Sequence, residues 1–352
     1  VLHQVALSGS DPILPSSFLL GTAAQTSIAA TALAAQTIYE LRGGAPQAIS
    51  VSMLDAIVEF MSERHLLVAG KACELWDPLA GAYQCGDGRW VRIHTNFAHH
   101  RDAIVSLLNC KPERESMKAG FRAWDARELE SRAAQQGAIV AMMRSLEQWS
   151  AHPQAQVLDN QPVITVEKIA ATPSEGLPPN DRPLGGIRVL DLTRIIAGPV
   201  AGRALSAHGA DVLLVTSPNL PSVEPLVIDT GRGKLNCHLD LDTREGKEQL
   251  SELIAASDVV IQGYRPGALS AKGFSASQCA AIRPGLIYVS LSAYGHEGPW
   301  RDRRGFDSIV QTASGFNAEE ARVAEQDEPK PLPCQALDHA SGYLLAIGAM
   351  MA

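Results

Sequence analysis

The stretch GIRVLDLTRIIAGPVAGRALSAHGADVLLVTSP (186–218) decides the fold. A short β-rich run, VLDL (189–192), is followed after Pro199 by helical spacing and then by a second β-rich run, DVLLV (211–215). The pattern repeats downstream with NCHLDL (236–241), DVVIQ (258–262) and LIYVSL (286–291), and with helical segments after Thr243, Ala276 and Gly305. Runs apolar on both faces and separated by helices predict a buried parallel sheet with right-handed crossovers, an α/β fold. The dinucleotide fingerprint GxGxxG is missing after the first run, where Ala197-Gly198-Pro199 stands instead, which argues against a nicotinamide enzyme.

The first half reads differently. Ala23–Leu41 is an Ala-rich helix that ends at Gly43-Gly44, followed by a strand in AISVSML (48–54). The segment YQCGDGRWVRI (83–93) predicts a hairpin turning at Asp87-Gly88. Helices are expected near 100–108, 126–136 and 138–151, and a strand near 162–168. Residues 171–185 carry four prolines and little apolar content, so they read as a linker.

Bulk properties set limits. A chain of 352 residues is long enough for two modest domains. A net charge of −8 with no basic stripe argues against a nucleic-acid partner. No apolar run has the length of a transmembrane helix, so no membrane partner is expected. The six cysteines (73, 85, 110, 237, 279 and 334) form no CxxC pair, which points to free thiols in a reducing cytoplasm. A start at Val1 and a stop at Ala352 inside an apolar helical run suggest that both ends are cut.

Asp338 opens the apolar run in PCQALDHASGYLLAIGAM (333–350) with small residues Ala340, Ser341 and Gly342 behind it. An acid there is expected to accept the first free N–H groups and to sit in the positive end of the helix dipole, which would keep it ionised. Such a carboxylate is either a plain cap or a nucleophile toward an acyl carbon.

Seven sequence words, in order, accompany it: VLDLT with AGP, GADV (209–212), RGK (232–234), LDLDTREG (239–246), YRPG (264–267), SLSAYGHEGPW (290–300) and the helix that Asp338 opens. Together they resemble the class III CoA-transferases, the group of formyl-CoA transferase, carnitine CoA-transferases and α-methylacyl-CoA racemase. The resemblance implies a Rossmann-like large domain plus a smaller α+β domain. It also implies ping-pong CoA transfer from an acyl-CoA to a carboxylic acid through Asp338, without a tightly bound cofactor or a metal.

By position it implies CoA contacts from Ile196, Ala197 and Gly198, from Ser217, and from Leu239, Asp240, Leu241 and Asp242. Gly263, Tyr264 and Arg265 follow, then Ser292, Ala293, Tyr294 and Gly295. Arg232, Lys234 and Lys272 are the further cations, Lys272 standing beside Ala271, which replaces a family arginine. Relatives form interlocked homodimers, so a homodimer is expected.

Three features modify this expectation. RGGAPQAISVSMLDA (42–56) and YQCGDGRWVRI resemble family elements that come after the nucleotide-fold half, yet here they precede it. The halves thus stand in reversed order: 1–60 completing the large domain, 61–172 a small domain, 173–186 a linker and 187–352 the CoA-binding part. A duplicated and trimmed ancestor would explain this, with Gly21 opposite Asp338. Second, the His of the racemase word G-H-D is Phe306 here, in Gly305-Phe306-Asp307, and His339 points about 100° away from Asp338 on a helix. That favours transferase over racemase, with Asp307 read as a cap for the helix from Ser308. Third, Ser217 and Ala271 leave open a CoA-binding protein without turnover. His94, His99 and His100 lack the acid or cysteine that would complete a structural metal site. Trp76, Trp90, Trp124 and Trp149 read as core or as pocket lining.

Overall fold

The computed structural model describes residues 4–172, 176–177 and 179–352; residues 173–175 and 178, within the expected linker, lie outside the described residues. The β-rich runs form five strands, Arg188–Leu192, Asp211–Thr216, Lys234–His238, Val259–Gln262 and Ile287–Ser290. All pairs are parallel, and the order across the sheet is third, second, first, fourth, fifth. Side chains alternate between two cores, as the period of a strand requires. Val189, Val212, Val259 and Ile261 face one core, and Leu190, Leu192, Val215 and Val260 face the other.

Crossover helices start where local chemistry allows. Thr243 accepts the N–H of Gly246 at 3.0 Å, and Ser275 and Gln278 form a reciprocal capping box. The strand order reverses between the first and fourth strands, which opens a crevice beyond their carboxyl ends.

The segment before residue 60 packs into the same core. Val5–Ser8 and Ile49–Ser52 pair in parallel and are joined through the helix Leu20–Leu41. Leu20, Ala24, Ala29, Ile57 and Phe60 share one apolar cluster with Val189, Val200 and Ala346. Thr31 donates to the Tyr343 carbonyl at 3.3 Å. The buried Glu320 accepts from Ser16 Oγ and the Ser17 N–H, both at 2.6 Å, and pairs with Lys330 at 3.0 Å. The helix Ala336–Met351 also crosses the helix Ala197–Ala207 closely. A Cβ on Gly342 would lie 2.6 Å from the Ala197 carbonyl oxygen and from Val200 Cβ, so the crossing needs glycine there.

Residues from about 75 onward build a second core. Gly81–Gln84, Trp90–Ile93 and Val140–Met142 make a three-stranded antiparallel sheet. The helices Ala98–Leu108, Arg114–Phe121 and Ala126–Gln135 cover it, with Tyr83, Ile104, Met117, Phe121 and Leu129 inside. Gln154 ties this unit to the loop after the fifth strand of the large sheet. It donates to the carbonyls of Tyr294 (2.7 Å) and Glu297 (2.8 Å) and accepts the Trp300 N–H at 2.7 Å.

Two sequence expectations are corrected by these elements. Residues 138–151 are not one helix: Val140–Met142 is a strand and Leu146–Ser150 a short helix started by a Ser145–Gln148 capping box. All three strand residues are buried and pair with Trp90–Ile93, so the sheet edge overrode helix-forming composition. Residues 162–168 form no strand, and Val163 and Val166 are exposed rather than turned to a core.

Candidate functional site

Asp338 is the third residue of the helix Ala336–Met351, after Gln335, and its carboxyl makes no capping bond. The expectation that it caps its own helix is therefore corrected. The carboxylate that serves this turn belongs to Asp307, whose Oδ2 accepts the Asp338 N–H at 2.9 Å. Asp307, first residue of the helix Asp307–Ala313, thus spends its carboxylate on a neighbouring helix rather than on its own. Gln311 Nε2 donates to the same carboxylate, while Gln311 Oε1 accepts from Leu332 N–H at 2.9 Å and Asn317 Nδ2 at 3.0 Å. This buried polar network fixes the loop before Asp338.

The charge state also differs from expectation. Burial pushes the Asp338 pKa well above the usual carboxylate range, and the neighbouring acids Asp307 and Glu63 add to the rise. Burial likewise raises Asp307, to about 6, against the opposing hydrogen bonds from Asp338 N–H and Gln311. Burial works to raise Glu63 too, but the hydrogen bond and charge of His339, at 3.1 Å, hold it below its ordinary value. Glu63 is the carboxylate of the three held ionised, and Asp338 the one pressed to keep a proton.

Asp338 lines an open cleft. Ile195 and Ile196, just beyond the first strand, form one side, and Glu63, Arg64, Trp76, His94 and Phe306 contribute to the rest. His94 stacks on Phe306 with ring centroids 3.7 Å apart and planes 5° apart. Burial, with the charge of Arg92 nearby, drives His94 down to about 4, so it is neutral at physiological pH. His339 turns away to Glu63 and packs on Phe60. Among the described residues no group of three or more His, Cys, Asp or Glu is placed to hold a metal ion, and all six cysteines are free thiols.

Most of the positions carried over for CoA stand just past the carboxyl ends of the five strands. Ile196, Ala197 and Gly198 follow the first, Ser217 the second and Leu239 to Asp242 the third. Gly263, Tyr264 and Arg265 follow the fourth, and Ser292 to Gly295 the fifth. They do not all present side chains. Leu239 is buried in the core, Ala293 packs on Gly305, and Tyr294 is buried against Trp300 at 5.1 Å. Ser292 Oγ is buried without a hydrogen-bond partner among the described residues. The Asp240 carboxylate accepts from Asn219 Nδ2 at 2.8 Å, Asp242 pairs with Lys272, and Arg265 donates to the Asp302 carbonyl at 3.5 Å.

Two cations lie elsewhere. Arg232 precedes the third strand, at the amino edge of the sheet, and binds Asp229 at 3.2 Å. The expectation for Lys234 is corrected: its side chain is 1% exposed and donates to Asp191 (2.8 Å) and to the Pro199 carbonyl (2.7 Å), so its charge is consumed inside the fold.

Sequence reasoning missed Glu63, whose partner His339 lies 276 positions away. The two meet only through folding, and no local signal marks either as half of a pair. His94 reads in the sequence only as a candidate metal ligand, and its stacking on Phe306, far along the chain, is a tertiary fact.

Residues 184–352 match the profile of CoA-transferase family III. An acyl-CoA transferase of Gibberella moniliformis is 32% identical over 255 residues, 66% of this chain and 44% of the relative. The human succinyl-CoA:glutarate CoA-transferase is 32% identical over 186 residues, 49% of this chain and 42% of the relative. Among solved structures, a CaiB/BaiF family protein from Brucella suis is 31% identical with a TM-score of 0.43, over 49% of each chain. The chain spans less than half the length of the curated relatives it matches.

Proposed function

We propose, from the match of residues 184–352 to CoA-transferase family III, that the chain moves CoA from an acyl-CoA donor to a carboxylic acid through Asp338. The observation that carries the reading is the place of Asp338: first turn of a helix, beyond the carboxyl edge of the sheet, its side chain lining the cleft.

The reaction starts when Asp338 sheds its proton. One carboxylate oxygen attacks the thioester carbon, the carbon–sulfur bond breaks, and CoA leaves as thiolate, giving a mixed anhydride. The thiolate then attacks the aspartyl carbonyl and expels the donor acid, leaving an aspartyl-CoA thioester. The same two steps in reverse, with a second acid, give the new acyl-CoA and restore the carboxylate. Burial of the carboxyl supports this chemistry because an exposed anhydride would hydrolyse. The loops after the five strands, with Arg265 and Lys272 as cations, are the surface on which CoA would lie.

The racemase alternative loses a base at Phe306, whose ring is packed on a neutral His94. The alternative of CoA binding without turnover rests on Ser217 and Ala271. Incubation with acyl-CoA and hydroxylamine, followed by mass spectrometry, separates the three. An aspartyl hydroxamate at Asp338 supports transfer. CoA binding without an adduct supports the third reading, and α-deuterium uptake without CoA exchange supports the second. Asp338→Ala is expected to abolish exchange and to keep CoA binding within a few fold.

We further propose that the halves stand in reversed family order. The helices Leu20–Leu41 and Ala336–Met351 share a core, which supports treating them as related elements. Glycine at position 21 offers no side chain to react, and a Cβ there would push on the side-chain ends of Met53 (Sδ, 2.5 Å) and Asp11 (Oδ1, 2.6 Å), so only the later helix carries a nucleophile. A homodimer in the cytoplasm completes the proposal; no described helix is long and apolar enough to cross a membrane. Light scattering that shows a dilution-stable monomer would remove the dimer.

A further inference from the structure

We propose that the aromatic part of the lining of the cleft that Asp338 shares is an acyl pocket for monocarboxylic acids with a planar apolar side chain, an aryl or arylalkyl group. This inference rests on the CoA-transfer reading for its chemistry but on separate observations for its substrate class. The wall is aromatic. Phe306 and His94 form a parallel stack, Trp76 meets His94 edge-on at 6.4 Å and 70°, and Phe97 packs 6.0 Å from His94. Trp76 is 42% exposed, an unusual surface for so large an apolar ring, and it lines the cleft. A flat ring between such walls gains offset-stacked or edge-to-face contacts that a flexible chain does not.

His94 supplies the second observation. It is 5% exposed, it lines the cleft, and its Nδ1 has no hydrogen-bond partner among the described residues. A buried polar atom left unpaired is costly unless something else meets it. Because the imidazole is neutral, it can give one hydrogen bond to an acyl or carboxyl oxygen but cannot neutralise a second carboxylate.

The charges in the cleft point the same way. Asp338 and Glu63 line it, with Asp307 directly behind Asp338. The single guanidinium among the described lining residues, Arg64, already faces Glu63 at 3.8 Å. Among the residues that line the cleft there is thus no guanidinium left uncommitted to meet the second carboxylate of a dicarboxylic acid; Arg92 stands behind His94 and off the lining.

The test is a panel of donors (benzoyl-, phenylacetyl-, acetyl-, succinyl- and glutaryl-CoA) with CoA exchange measured on the full chain, beside calorimetry of phenylacetate and succinate binding. The expected result is a kcat/KM for the aryl donors at least about tenfold above the dicarboxylic ones. Trp76→Ala should lower the aryl-to-acetyl ratio about fivefold, and Phe306→Leu should act in the same direction. Equal or better turnover of succinyl- or glutaryl-CoA overturns the substrate class and leaves CoA transfer standing. If no donor exchanges, the transfer reading falls and calorimetry decides the pocket. Phenylacetate binding that weakens in Trp76→Ala sustains it, and absence of such binding ends it.

Discussion

Asp307 accepts the backbone N–H of Asp338 at 2.9 Å, so one buried carboxyl group holds the turn on which the other stands. The pair shares a confined space with Glu63, and the cost of three acids there falls on Asp338, whose proton is the hardest to remove.

Stability should depend on pH through Asp338. A carboxyl group whose pKa is raised by folding favours the native state while it is protonated, and this contribution is lost as pH rises from the unfolded value through the folded one. Above the ordinary Asp range the folded protein must therefore either hold a proton on Asp338 or bury its charge, and both are a burden. Asp338→Asn is expected to raise the thermal midpoint at pH 8, by roughly 1–3 kcal/mol of stability, and to show a smaller gain near pH 4. A gain independent of pH, in melts across that range, would contradict the raised pKa.

Glu63→Gln removes the ionised neighbour that helps press the proton onto Asp338. The proposed transfer needs the carboxylate, so on that proposal activity falls as pH drops through the Asp338 pKa. Lowering that pKa must move the acid limb of kcat/KM to lower pH. The variant also loses a charge partner of His339, at a cost of about 1–3 kcal/mol, fully felt above the ordinary Glu range and vanishing as pH falls through the lowered Glu63 pKa. An unmoved or upward-shifted limb would show that Glu63 does not act on Asp338.

Lys234→Met leaves Asp191 buried, with Thr193 as its remaining partner. Removing one member of such a pair costs about 3–5 kcal/mol, whereas replacing both with neutral groups is far milder. Urea denaturation of Lys234→Met and of Lys234→Met with Asp191→Asn is expected to show a deep loss and its substantial recovery. A single variant as stable as the parent would return Lys234 to the pool of free cations.

The large sheet was legible because its strands are uniform runs such as VLDL and DVVIQ, whose burial on both faces leaves a continuous apolar signature. Val140–Met142 was not, since its Ala and Met suit a helix equally well and only pairing with Trp90–Ile93 selects the strand. Asp338 was identifiable from its own surroundings, but its cap was assigned to the wrong group because Asp307 acts from 31 positions upstream. Glu63 and the His94–Phe306 stack are invisible to any local reading, since each joins segments that meet only in the finished fold.

The joining of Leu20–Leu41 to Ala336–Met351 has a consequence for how the chain is made. The second core, closed by contacts among residues 79–142, can condense as soon as those residues leave the ribosome. The earlier helix, rich in Ala, must wait for this partner until roughly three hundred further residues have been added. At about 5–20 residues per second that is on the order of 15–60 s during which the face of this helix that packs on Ala336–Met351 is uncovered. The nascent chain is thus a candidate client for chaperones throughout that interval, and the large domain can close only after the helix Ala336–Met351 is synthesised.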